Sequence, residues 1–216
     1  GEGMSDMERD ARRREVRAAG GTRLTVADLI NVGVFGAVYF ALVGVAALAS
    51  MAVFGVAGNI LLPAIAAVLA GPVFMLMVAR VRRFGAITLM GLMLGLFLFV
   101  SGHFATSLVT AIVFPLAADC IARFGAWRRP WALMLSYVVF SFGCTGPILP
   151  LWMMKDAYIA SLERKGKDAA YIDALFGAVN GTTFVVAMVA IVIGALVGGL
   201  FGMRLMRRHF LKAAVA

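Results

Sequence analysis

Two histidines (His103 and His209), two cysteines (Cys120 and Cys144) and two aspartates (Asp28 and Asp119) are the side chains in or beside the apolar stretches of this 216-residue sequence that can ligate a metal, carry a proton or attack a substrate. Their spacing excludes most of that chemistry. The histidines lie at opposite ends of the apolar stretches, so they cannot complete one metal site or one acid–base pair. His103 follows Ser101-Gly102 in a tight turn, where it either contacts a ligand or stands in water. The cysteines have no metal-type spacing and read as buried free thiols. Asp28 opens a helix, where a carboxylate suits the positive end of the dipole, and Asp119 precedes Arg123 by one turn, a spacing that allows an ion pair. No serine–histidine pair, aspartate cluster for Mg²⁺ or phosphate-binding glycine motif is written in the sequence, so neither catalysis nor ATP hydrolysis is expected of it. Thirteen methionines suggest flexible packing before soft-metal ligation; Met153 and Met154, beside Trp152, are the pair best placed against an apolar ligand.

The elements that must position these residues are six apolar segments, at 26–49, 59–79, 84–101, 104–122, 131–154 and 182–203. Each approaches the ~20 residues a helix needs to cross hydrocarbon. The expected fold is therefore an all-α integral membrane protein with six transmembrane helices. Of twenty basic residues, sixteen fall in four clusters: Arg9 to Arg23 before the first segment, Arg80 to Arg83 after the second, Arg123 to Arg129 after the fourth, and Arg204 to Lys212 after the sixth. The connections between hold only Lys155, Arg164, Lys165 and Lys167. Cationic loops stay on the cytoplasmic side, which puts both termini in the cytoplasm. A net charge of +9 would ordinarily raise nucleic acid as a partner, but this distribution is explained by orientation and anionic lipid headgroups. With 62% hydrophobic residues the chain has too little polar surface to be a soluble domain.

Residues 1–23 form a polar, Arg-rich cytoplasmic tail, in which Gly1 to Gly3 ahead of Met4 read as an expression remnant, and 24–216 form one membrane domain. No cleavable signal peptide is expected, because the first apolar run is too long. Gly33, Ala37 and Ala41 make a small-residue stripe on the first helix, suited either to packing inside the bundle or to a partner helix. Gly91 and Gly95, and Gly194, Gly198 and Gly202, make similar stripes expected to pack internally. Pro147 and Pro150 must break the fifth helix near its outer end, which suits a cavity wall. The outer loop 155–181 reads as a helical hairpin, Lys155 to Arg164 and Asp168 to Val179, with Ala170, Tyr171, Ala174, Leu175 and Ala178 on one face of its second arm. It is placed either to act as a lid or to rest on the membrane surface with no ligand role.

Several stretches carry a family resemblance from about Leu24 to the C-terminus: Asp28-Leu29-Ile30-Asn31-Val32-Gly33-Val34-Phe35, Phe84 to Gly91, Gly102-His103, Leu135-Ser136-Tyr137, and Gly146-Pro147 through Trp152 to Tyr158. In these the chain resembles the substrate-binding S components of energy-coupling factor (ECF) transporters, specifically the group called Trep_Strep or MptD-type. The resemblance implies a multi-pass subunit of the bacterial cytoplasmic membrane that holds a vitamin, haem or similar micronutrient near the outer face. It also implies partners: a transmembrane coupling subunit, docked on Gly33, Ala37 and Ala41, and two ATP-hydrolysing subunits. No cofactor of its own is implied; haem, if present, is cargo. The aromatic and polar residues expected at the outer mouth are Asn59, His103, Trp152, Asp156, Tyr158, Tyr171, Asn180 and Thr183, with Met153 as an apolar contact. The rival readings are a stand-alone permease or channel, which would need a polar path through the bundle, and a non-transporting assembly protein.

Overall fold

The computed structural model describes residues 7–10 and 23–215, with side chains to Arg208. Most of the tail, including Arg12, Arg13, Arg14 and Arg17, lies outside the described residues. Helix α1 (Val26–Phe54) begins with a reciprocal cap: the Thr25 hydroxyl accepts from the Asp28 amide, and the Asp28 carboxylate accepts from the Thr25 amide. Asp28 also pairs with Arg83 at 2.7 Å, tying the start of α1 to the loop 82–85. A 3-10 turn (Gly55–Ile60) leads into α2 (Leu62–Val81), followed by α3 (Ala86–Val100), α4 (Thr106–Phe124) and α5 (Pro130–Ser141). After a second 3-10 turn (Phe142–Thr145) come the short α6 (Pro150–Met153), the hairpin arms α7 (Lys155–Arg164) and α8 (Ala169–Gly177), and the long α9 (Gly181–Val215). Among the described residues there is no strand.

Four stretches are long and apolar enough to cross a membrane: Val26–Ile60, Leu62–Val81, Thr106–Phe124 and Gly181–Arg208. The other two expected spans are shorter, with 15 residues in α3 and 12 in α5. The fifth helix stops at Ser141, a turn and a half earlier than Pro147 alone would demand. Continued as a helix, Pro147 and Pro150 would each lack the N–H that bonds the carbonyl four residues back, at Gly143 and Gly146. Threonines on α4 take over both. Thr110 Oγ1 donates to the Gly143 carbonyl at 3.1 Å and Thr106 Oγ1 to the Gly146 carbonyl at 2.9 Å. The break is thus satisfied inside the protein, as a low-dielectric surrounding requires.

The glycine stripes other than that of α1 pack internally. A Cβ at Gly71 would strike the Gly198 backbone, one at Gly202 the Gly71 backbone, and one at Gly91 or Gly95 would strike Pro115 or Ala111 of α4. Tyr137 of α5 donates its hydroxyl to the Ala67 carbonyl of α2, and its ring packs on Phe74 and Phe140 at the centre of the bundle.

Asp119 does not pair with Arg123. Fully buried, it reaches the start of α3, accepting from the Gly85 amide (3.2 Å), the Thr88 amide (2.9 Å) and the Thr88 hydroxyl, while the Arg123 guanidinium stands over the Phe84 ring at 5.9 Å. The unpaired amides of a neighbouring helix start outcompete an exposed guanidinium, because nothing else is present to satisfy them. Asp119→Ala is expected to cost about 2–3 kcal/mol, from a lost cap and stranded buried donors. Asp119→Asn, which keeps one acceptor oxygen, should lose clearly less; thermal unfolding of the detergent-solubilised variants measures the difference.

Candidate functional site

At the end of the bundle remote from the arginine clusters lies an apolar cavity of about 300 Å³. Its walls come from four regions. Phe40, Val43, Gly44 and Ala47 recur at helical spacing on α1; Leu94, Phe97 and Leu98 face them from α3; Pro147 and Ile148 come from the broken stretch after α5, and Asn59 and Leu62 from the link into α2. The broken stretch after α5 bounds the cavity on this side through Cys144, Pro147 and Ile148. Phe40 and Phe97 meet edge to face at 4.5 Å. The Cys144 thiol, also on the lining, is in contact with the Tyr39 hydroxyl at 3.0 Å.

The polar groups of the lining are few and gather at the mouth. His103 Nδ1 lies 3.2 Å from the Leu98 carbonyl, which can only accept, so Nδ1 carries the proton and Nε2 is left uncommitted. The Tyr158 ring stacks on Phe104 at 5.6 Å and meets Phe176 edge-on at 6.0 Å, anchoring both hairpin arms to the rim. Neither the Tyr158 hydroxyl nor the Asn59 amide has a hydrogen-bond partner among the described residues. Burial, reinforced by nearby Tyr171, pushes the Tyr158 phenol above its ordinary range, so it remains a neutral donor.

His103 is held below the ordinary imidazole range, first by loss of hydration and then by the Lys165 ammonium, the Leu98 carbonyl opposing both. The folded state therefore binds its proton less readily than the unfolded chain. Stability attributable to this group is intact above about pH 6.5 and declines as pH falls through that value toward the folded pKa. His103→Gln should flatten that segment of the profile, read as the unfolding midpoint of wild type and variant between about pH 7.5 and 5.

Of the residues expected at the mouth, the structure brings Asn59, His103 and Tyr158 together on the cavity. The others lie elsewhere. The Trp152 indole donates to the Asn180 carbonyl at 2.9 Å and its ring meets Phe184, while Asn180 and Thr183 cap the start of α9 reciprocally, each side chain accepting from the other's amide. These three clasp the hairpin base to α9. Met153 is 74% exposed, Asp156 is exposed in the first turn of α7, and Tyr171 lies beneath the Lys167 ammonium at 4.9 Å. The buried face of α8 is turned from the one expected: Ile172 and Leu175 are buried with Phe176 and Val179 beside them, and Ala170 and Ala174 are exposed, because the larger side chains gain more by leaving water. Phe40, Val43, Gly44, Leu94 and Phe97 are lining residues that the sequence did not single out. On helices apolar all round, nothing in their spacing separates cavity from lipid.

On α1 the buried residues are Val32, Gly36, Tyr39, Ala46 and Ser50, and the small-residue stripe points away from them. Ala37 and Ala41 are exposed, and a Cβ at Gly33 would meet nothing within 4 Å.

Buried glycine-to-backbone helix contacts, an apolar exterior and a cavity of ligand size at one end are the features of an all-helical integral membrane protein. This chain belongs to the Trep_Strep family, described as hypothetical bacterial integral membrane proteins, whose family model matches residues 26–212. Comparison with curated proteins and with solved structures returned no match.

Proposed function

We propose that the chain is the substrate-binding subunit of an ECF-type importer in a bacterial cell membrane. All six apolar helices cross the bilayer, both termini are cytoplasmic, and the cavity beneath the hairpin faces outward to capture a micronutrient. The observation that carries this reading is the cavity itself: an apolar chamber at the end remote from the arginines, with the Asn59 amide, the Tyr158 hydroxyl and His103 Nε2 at its mouth without hydrogen-bond partners among the described residues, and a hairpin latched over it by Tyr158. Apolar walls with a few oriented polar groups are what small-molecule sites generally present. The outward Gly33, Ala37 and Ala41 face suits close approach by a helix of a coupling subunit. ATP hydrolysis then belongs to two partner subunits, and the chain itself transforms nothing. A vitamin-sized molecule suits the cavity volume; a haem, a larger plate, would require the hairpin to lift.

Co-purification from the native membrane tests the reading. Recovery of a transmembrane partner with two ATPases is expected, whereas uptake catalysed by the purified chain alone would overturn it in favour of a stand-alone permease. A Soret band in the absorption spectrum of the isolated protein would identify haem as cargo.

A further inference from the structure

Resting on the reading of the cavity as a capture site, we propose that its ligand is a small carboxylic acid with an apolar, ring-containing body: the body lies between Phe40, Phe97 and Ile148, and the carboxylate is held at the mouth by Lys165, with the Asn59 amide and the Tyr158 hydroxyl as further donors.

Size and polarity set the body. A cavity of about 300 Å³ has room for about ten waters' worth of ligand. Its floor and sides carry no charged residue, and the edge-to-face Phe40 and Phe97 rings present flat surfaces on which an aromatic or alicyclic ring packs without losing hydrogen bonds. An ion could not be stabilised at that depth. Any charge on the ligand must therefore stay at the mouth.

The sign of that charge follows from the hairpin lysines, which differ in their engagements. Lys155 lies over the Phe176 ring at 5.6 Å and Lys167 over the Tyr171 ring at 4.9 Å. Lys165, in the turn between α7 and α8, has no ion pair or ring partner among the described residues. Its stem lies against the Gly102-His103 turn, with Cε 3.9 Å from the position a Gly102 Cβ would take, and its charge is felt at the His103 ring. Lys165 is not itself on the lining, but an unpaired ammonium beside the rim residue His103 of an uncharged chamber is complementary to an anion; the neutral imidazole, its one proton committed to Leu98, adds no charge. A single carboxylate fits better than a phosphate, because one lysine cannot neutralise a dianion. The Asn59 amide and Tyr158 hydroxyl remain to donate to the second carboxylate oxygen or to a polar atom of the body.

The full-length purified protein in phosphatidylcholine nanodiscs, titrated with 1-naphthaleneacetate and with 1-naphthaleneacetamide, tests the assignment, because the two probes share a body and differ in charge. The acid is expected to bind about tenfold more tightly than the amide, the effect of one charge-assisted contact at a partly screened rim. Lys165→Gln should remove that preference and leave amide binding unchanged. Gly44→Leu should weaken both probes: Gly44 lines the cavity, a Cβ there meets nothing within 4 Å, and leucine fills space without disturbing the fold. Equal affinity for acid and amide, or a preference that survives Lys165→Gln, overturns the carboxylate assignment while the cavity stands. Binding of both probes unaffected by Gly44→Leu, or of neither probe by wild type, overturns the ligand class. The importer reading fails separately, by the absence of a coupling subunit in the native complex.

Discussion

Gly71→Leu is expected to leave little folded protein. Helices α2 and α9 meet backbone to backbone, and a Cβ at Gly71 would land on the Gly198 carbonyl group and Cα, while Gly198 and Gly202 press back on Ala67, Val68 and Gly71. In a bilayer the lipid tails are as apolar as leucine, so helix association depends on this close approach and not on removal of apolar surface from water. Overpacking in a core commonly costs about 1–3 kcal/mol, and more where nothing yields. Here the obstacle is main chain, which cannot swing aside as a side chain does. The expected cost is thus about 3 kcal/mol or more, read as loss of the monodisperse peak in detergent and a collapsed unfolding midpoint. Gly33→Leu, on an open face of α1, is the matched control and should leave both unchanged. A Gly71→Leu protein with the wild-type midpoint would mean that α2 and α9 are not so closely apposed.

Ala37→Trp should do the reverse, sparing the fold and abolishing assembly. Ala37 is exposed and stands off the stripe of Val32, Gly36, Tyr39, Ala46 and Ser50 that α1 buries, so an indole there displaces lipid and nothing of the protein. Against a coupling helix brought close by Gly33, Ala37 and Ala41, the same indole would hold the backbones apart. Recovery of the co-purifying subunits should fall about tenfold or more, with the unfolding midpoint of the isolated chain and its probe binding unaltered. Unchanged recovery would remove the α1 face from the proposed interface. Because Phe40, Val43 and Gly44 turn to the cavity from the same helix, α1 would then be a wall of the cavity only.

Much of the architecture was legible in the residues. Four of the six apolar segments match stretches long enough to cross a membrane, and the other two match shorter helices. The arginine-rich turns, the hairpin expected at 155–164 and 168–179 and found at 155–164 and 169–177, and the inward stripes of Gly91, Gly95, Gly194, Gly198 and Gly202 correspond to features of the structure, because helix length, turn chemistry and small residues act locally. The candidate site was legible only in part. Asn59, His103 and Tyr158 stood out as polar or aromatic residues in connections, and the structure gathers them on one cavity. Trp152, Asn180 and Thr183 stood out for the same reason, yet they satisfy one another at the start of α9.

The order of residue types dictates where the chain must be apolar, where it must turn and where it carries charge. The packed helices alone reveal which apolar residues line the cavity, that Asp119 caps a neighbouring helix and does not pair with Arg123, and that Thr106 and Thr110 supply the donors two prolines withhold. The physical reason is common to all three. In water, burial and polarity coincide, so a pattern of hydrophobicity reveals which face is inside. In a bilayer both faces of a helix are apolar, and inside differs from outside only by what the neighbouring helix places there.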